Sequence, residues 1–168
     1  MKPSIKNTIL DHDDIVNKIR RIAYQIYESN VDETEVILAG IDSNGYILAK
    51  KLKTILTKIS PINIILCRVE IDKKNPRNVI KTSINAEDYK NKSVVLIDDV
   101  LNSGTTLVYG VKHFLDVPLK RFKTAVLVNR NHKKYPVKAD FKGISLSTSL
   151  HEHIDVILKA KPYEAFLK

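Results

Sequence analysis

Asp98 and Asp99 are adjacent carboxylates, and Val100, Leu101 and Asn102 separate them from the turn Ser103-Gly104-Thr105-Thr106. Paired acids can hold the vicinal hydroxyls of a sugar and stabilise positive charge on its ring. Main-chain amides and hydroxyls of a Ser-Gly-Thr-Thr turn can hold a phosphate, above all at a helix start, where unpaired N–H groups and the helix dipole favour an anion. Acids and turn at this spacing suit a phosphorylated ribose. Ser43 and Ser103 have no His-Asp partner nearby in the sequence and are not read as hydrolase nucleophiles. His151 and His153 lack a third ligand at metal spacing and are read as surface histidines.

These residues need elements to position them. Val94–Ile97 is an apolar run read as a buried strand that ends at Asp98, and Thr106–Leu115 returns to helical spacing. Upstream, Ile15, Ile19, Ile22 and Ile26 mark an amphipathic helix over Asp11–Ser29, with Asp11 or Asp13 as its cap. Val36–Ile41 is a second buried strand, Tyr46–Lys58 a second helix, and Ile62–Ile71 and Thr124–Asn129 further strands. Strands and helices alternating at these lengths predict an α/β fold with a doubly wound, mostly parallel sheet. Ligands of such sheets bind beyond the carboxyl ends of the strands, so the turns after Ile41, Ile97 and Val128 should share one rim. The first of these turns, Ile41-Asp42-Ser43-Asn44-Gly45, feeds a helix and offers backbone to an anion. Between Ile71 and Ser93 no period is visible. The polar excursion with Lys73, Lys74 and Arg77 is expected to be a flexible flap over about 72–90, or a solvated hairpin.

The chain has 168 residues, enough for one α/β domain spanning 1–168, and 43% of them are hydrophobic. No run approaches the ~18 apolar residues of a membrane span, and the first residues lack the pattern of a signal peptide. The single cysteine, Cys67, lies in an apolar run and is read as an inert buried thiol. A cytoplasmic protein with no membrane partner is expected. The net charge is +9, and Pro118–Gly143 holds eight Lys or Arg against Asp140 alone. Such a balance attracts anionic substrates and is also the footprint of nucleic-acid binding.

The segment Val94–Thr106 resembles the phosphoribosyl-pyrophosphate (PRPP) motif of the type I phosphoribosyltransferases. The stretches Ile37–Ile41, Gly45, Leu48–Leu52, Ala125–Phe141 and Ser147-Thr148-Ser149 are similar to one branch, the bifunctional pyrimidine-operon attenuator/uracil phosphoribosyltransferases. The resemblance implies the type I phosphoribosyltransferase fold, with a small C-terminal hood over about 139–158 and a homodimer. It implies a pentosyltransferase that moves ribose 5-phosphate from Mg²⁺-PRPP to a nucleobase, a pyrimidine such as uracil, and releases pyrophosphate. Asp98 and Asp99 would be catalytic, Asn102–Thr106 (Asn102, Ser103, Gly104, Thr105, Thr106) would hold the 5′-phosphate, and Ile41–Gly45 would form the pyrophosphate loop. Mg²⁺ would arrive with PRPP.

The chain departs from the branch at several places. Asp42, Ser43 and Asn44 stand where the family carries a basic residue or a Thr-Arg pair. The flap lacks a Tyr-Arg-Asp-Asp element, for which Arg77 is the nearest basic substitute. Asn129 and Asn131 replace Asp and Gly, and Tyr24 and Ser29 replace a His and an Arg. Arg20, Arg21, Lys133 and Lys138 match the branch's basic RNA face. The alternative to the enzyme is therefore a PRPP- or nucleotide-sensing RNA-binding regulator of pyrimidine genes with weak or no catalysis.

Overall fold

In the computed structural model, which describes residues 6–147 and 151–168, Asp11 opens the first helix through a reciprocal cap. Its carboxylate accepts from the Asp14 amide (2.8 Å) while the Asp14 carboxylate accepts from the Asp11 amide (3.0 Å). The elements in chain order are β1 (Asn7–Leu10), α1 (His12–Ser29), β2 (Glu35–Ile41), α2 (Asn44–Ile59), β3 (Asn63–Glu70), β4 (Lys81–Thr82), α3 (Ala86–Tyr89), β5 (Ser93–Leu101), α4 (Thr105–Phe114), β6 (Arg121–Arg130), β7 (Phe141–Leu146), β8 (Ile154–Ile157) and β9 (Glu164–Leu167).

Six strands form the main sheet in the order β4-β3-β2-β5-β6-β7, parallel except for the short β4. Alternation along the strands divides the core in two. Val36, Leu38, Val95, Ile97 and Leu127 face α1 and α2, while Ile37, Ala39, Val94, Leu96 and Val126 face Tyr89, Leu107 and Phe114 of α3 and α4. From β2 the chain winds through α2 to β3. From β5, beside it, the chain winds through α4 to β6 in the opposite direction. The turns leaving β2 and β5 therefore diverge, and they open a crevice at the switch in strand order.

Three expectations are corrected. The strand carrying the acids does not stop at Asp98: β5 continues to Leu101 because β6 pairs with it as far as Leu101↔Asn129. The acids still reach the rim, since pairing with β2 ends at Gly40↔Ile97. The excursion expected over 72–90 is shorter. Thr82 and Lys81 pair with Val69 and Glu70, and the buried Tyr89 ring packs 4.8 Å from Phe114. Ile80, Ile84, Ala86 and Tyr89 form an apolar set with neither strand nor helix period, which hides this packing from the sequence. The hood is also drawn differently. Phe141–Leu146 belongs to the main sheet, and the small sheet is β1-β9-β8, built from both ends of the chain. Of the predicted Ser147-Thr148-Ser149 stretch, Thr148 and Ser149 lie outside the described residues. No helix among the described residues is long and apolar enough to cross a membrane.

Candidate active site

The crevice gathers most of the predicted residues. Asp98 is buried, whereas Asp99 is half-buried beside it. Burial pushes the Asp98 carboxyl well above the usual range, and the Asp99 carboxylate pushes the same way. Lys73 opposes them from the excursion after β3, with its Nζ 3.9 Å from Asp98 Oδ1. Each acid also folds back onto the chain: the Asp99 amide donates to Asp98 (2.8 Å) and the Val100 amide to Asp99 (2.8 Å).

Beyond the acids, Gly104 turns the chain at φ +86° into α4, a left-handed conformation that glycine adopts without strain. Ser103 Oγ and Thr105 Oγ1 lie 2.8 Å apart, and the Thr105 amide donates to Ser103 Oγ at 3.3 Å. The loop after β6 packs on this turn, with the amides of Lys134 and Tyr135 donating to the Ser103 carbonyl (2.7 and 3.2 Å). Asp98 to Leu107, together with Lys73 and Val126, line a cavity of about 110 Å³. Asn102 is exposed on its lip, and Thr105 and Thr106 open α4 beneath it.

The turn after β2 meets the acids from the other side. A Cβ on Gly45 would come 2.6 Å from the Ile97 carbonyl, so only glycine lets the start of α2 lie this close to β5. Ile41 is buried, and the Asp42 amide donates to the Val69 carbonyl (2.8 Å). Ser43 is exposed. Asn44 Nδ2 donates to Asp99 Oδ2 and to the Val156 carbonyl, both at 3.0 Å.

Other predicted residues are distributed differently. Lys74 is exposed, its amide donating to Asp72 (3.0 Å). Amides of Asn75 and Lys74, and the Asn78 side chain, hold the Asp72 carboxyl below its usual range. Arg77 does not reach the acids. It lines a separate hollow of about 410 Å³ with Tyr109, Lys112 and His113. Arg20 is exposed on α1, and Arg21 donates to the carbonyls of Lys142 and Gly143 (2.8 and 2.7 Å), tying α1 to β7. Lys133 and Lys138 sit on the loop after β6, whose Val137 and Ala139 pack with the α4 side of the core. Lys138 also pairs with Asp140 at 3.7 Å. The Cys67 thiol is buried and its pKa is raised by that burial.

The sequence reading missed Arg68, whose Nε lies 3.6 Å from Asp42 Oδ1. Its position between the buried Cys67 and Val69 marks an outward strand residue, the one signal that could have found it.

Paired acids, a glycine-led helix start and a second anion-sized turn, all at the switch point of a doubly wound sheet, define a ribose-phosphate-binding α/β protein. The chain belongs to the phosphoribosyl transferase domain family, whose model matches residues 6–161. It is 37% identical over 160 residues to the "Bifunctional protein PyrR" of Fusobacterium nucleatum, covering 90% of each chain. It is 35% identical over 162 residues to the protein of that name from Corynebacterium glutamicum, covering 89% of this chain and 84% of the other. Similar folds occur in a hypoxanthine-guanine phosphoribosyltransferase from Bacillus anthracis (TM-score 0.76, 18% identity, 98% and 99% of the two chains). The hypoxanthine phosphoribosyltransferase of Trypanosoma cruzi is another (TM-score 0.78, 14% identity, 96% and 95%). The chain is thus a PRPP-dependent phosphoribosyltransferase of the PyrR branch, which transfers ribose 5-phosphate to a nucleobase.

Proposed function

We propose that the acceptor is a pyrimidine, uracil foremost, and that the product is its nucleoside 5′-monophosphate. The observation that carries the transfer reading is the placement of the acids between two turns: Asp98 and Asp99 line one cavity with the Gly104 turn, and Asn44 of the Asp42–Gly45 turn donates to Asp99. As pyrophosphate leaves, C1′ of the ribose becomes cationic. Asp98 and Asp99 hold the 2′- and 3′-hydroxyls and stabilise that charge, which is larger in the transition state than in the substrate. Asn102–Thr106 retain the 5′-phosphate and Ile41–Gly45 receive the pyrophosphate. Lys73, with Lys74 on the same excursion, closes the mouth against water.

Mg²⁺ binds through one or two carboxylates plus substrate phosphates rather than in a protein cage. The donors here fit that habit: Asp98 and Asp99 offer hard oxygens beside the turn proposed to hold the 5′-phosphate. When bound, the ion supplies charge neutralisation to PRPP.

A homodimer, a cytoplasmic location and an RNA-binding role belong to the same reading. The RNA role is supported by the exposed Arg20, Lys133 and Lys138 and by the net charge of +9. The deciding experiment is PRPP-dependent pyrophosphate release measured with uracil, orotate, hypoxanthine, guanine, xanthine and adenine. Release with uracil alone supports the assignment. PRPP binding without release for any base favours a nucleotide-sensing regulator.

A further inference from the structure

The turn that receives pyrophosphate carries no cation. Its side chains are Asp42, Ser43 and Asn44, and Asn44 is already engaged by Asp99 and Val156. A carboxylate facing a multiply charged leaving group is unfavourable unless a cation stands beside it. Arg68 stands there. It reaches the turn from β3, its Nε 3.6 Å from Asp42 Oδ1 and its guanidinium 4.5 Å from the centre of the Tyr46 ring. Lys50 lies over that ring too, at 5.3 Å. Arg68, Lys50, Lys51 and Lys159, with Asp42 as the only acid among the described residues, line a hollow of about 510 Å³ that Asp42 and Ser43 border. The Arg68 side chain is 47% exposed and that of Asp42 37%. An ion pair so open to water is weak and exchanges partners readily.

We propose that Arg68 is the leaving-group cation of this enzyme. It rests on Asp42 in the free protein and turns to the pyrophosphate when PRPP binds; this builds on the phosphoribosyl-transfer roles given under Proposed function. A pyrophosphate presents several charged oxygens to the planar guanidinium fork, whereas Asp42 offers one carboxylate, so the substrate outcompetes the resting partner. In the transfer step the C1′–oxygen bond breaks with its electron pair on pyrophosphate. The C1′–nitrogen bond forms, and the proton of that nitrogen leaves to water. Arg68 stays protonated throughout and stabilises the oxygen that takes the electron pair. The Tyr46 ring face, 4.5 Å from the guanidinium, holds the cation beside the turn. Asp42 is then a place-holder whose removal frees the cation.

Magnesium pyrophosphate and UMP, titrated separately by calorimetry into wild type, Arg68→Gln, Arg68→Lys and Asp42→Asn, test this. KM for PRPP is measured alongside, and folding is checked by thermal melts. Arg68→Gln should weaken magnesium pyrophosphate and raise the KM for PRPP by about tenfold or more, the scale of one charge-assisted contact, with UMP affinity unchanged. Arg68→Lys should recover part of the loss. Asp42→Asn should move pyrophosphate affinity the opposite way, tightening it several-fold. Wild-type binding of both ligands with no change in Arg68→Gln would overturn the proposal and leave the transfer reading standing. Weakening by Arg68→Gln and Asp42→Asn alike, the mark of a merely structural pair, would also overturn it. Failure of wild type to bind either ligand would bring down the transfer reading together with the proposal.

Discussion

Asn44 joins three parts of the crevice by one amide group: its Nδ2 donates at 3.0 Å both to Asp99 and to the carbonyl of Val156. The turn after β2, the acidic pair on β5 and strand β8 of the small sheet are thereby held in one arrangement. Asp99 presents its other oxygen, Oδ1, to the Val100 amide. Its orientation is set from two sides, by its own strand and by α2.

Replacing Asn44 by Ala removes both bonds while leaving α2 intact. A reacting group displaced by about 1 Å costs on the order of a hundredfold in rate. Asn44→Ala should therefore lower kcat by about ten- to a hundredfold, with only a small change in UMP affinity. Steady-state kinetics and calorimetry on the same preparation check this. An equal loss in kcat and in UMP affinity would mean that Asn44 supports the 5′-phosphate turn rather than Asp99.

Asp98→Asn separates stability from activity. Burial and the neighbouring Asp99 raise the Asp98 pKa in the folded protein. The folded state thus holds this proton more tightly than the unfolded chain does. That contribution to stability is fully present below the ordinary carboxylate pKa and is lost as pH rises through the raised folded value. A neutral amide has no such loss. Asp98→Asn should melt higher than wild type near pH 7, and the gap should close on acidification toward pH 4. Turnover should fall by about 10²–10³, since the amide cannot stabilise a cationic ribose. Asp99→Asn should reduce turnover too, with less gain in stability, because Asp99 is only half-buried. Melting curves against pH, read with kcat, test both halves.

The local unit that carries the proposed acids and phosphate turn was legible in the sequence. Asp98 through Thr106 form one strand-turn-helix unit, so local pattern suffices to place the acids against the phosphate turn. Legibility falls as partners separate along the chain. Lys6 and Thr8 contact Glu164 across nearly the whole length, and no local period announces that β1 completes a sheet with β9. Arg68 and Asp42 illustrate the same limit at the site. Each is unremarkable in its own segment, and only the pairing of β2 with β3 in parallel register, Gly40↔Arg68 and Ile41↔Val69, sets them together. Arg77 erred the other way: its charge suggested the mouth, but the chain beyond Asp72 carries it toward α4.

Gly104→Ala tests the phosphate turn. At φ +86° a side chain is strained, and a Cβ would come 2.6 Å from Val137 Cγ1 on the loop that packs over the turn. The backbone strain costs about 1–2 kcal/mol, which corresponds to a fall in Tm of about 2–8 °C for a chain of this size. The protein should stay folded, while UMP affinity drops more than about tenfold through loss of the aligned amides. Calorimetry with circular dichroism distinguishes the outcomes. Unchanged UMP binding in a folded Gly104→Ala variant would remove the 5′-phosphate assignment.

The basic residues proposed to meet RNA do not have one role. Arg21 donates to two carbonyls of β7, so Arg21→Gln should cost about 1 kcal/mol, the net worth of such hydrogen bonds. It should appear as a lower Tm with or without RNA. Arg20 and Lys133 are exposed, and Lys138 makes only a surface pair with Asp140 at 3.7 Å. Their replacement by Gln should leave the melt unchanged. If these three side chains contact RNA phosphates, the triple variant should bind RNA more weakly. Its affinity should also depend less steeply on salt, the slope of log K against log salt falling by roughly one unit per lost contact. Catalysis should persist, because none of the three lines the cavity at Asp98 and Asp99. Binding curves for a pyrimidine-leader-type RNA at several salt concentrations, with pyrophosphate release as the control, give the readout. A salt slope identical to wild type would identify Arg20, Lys133 and Lys138 as solvated surface charge.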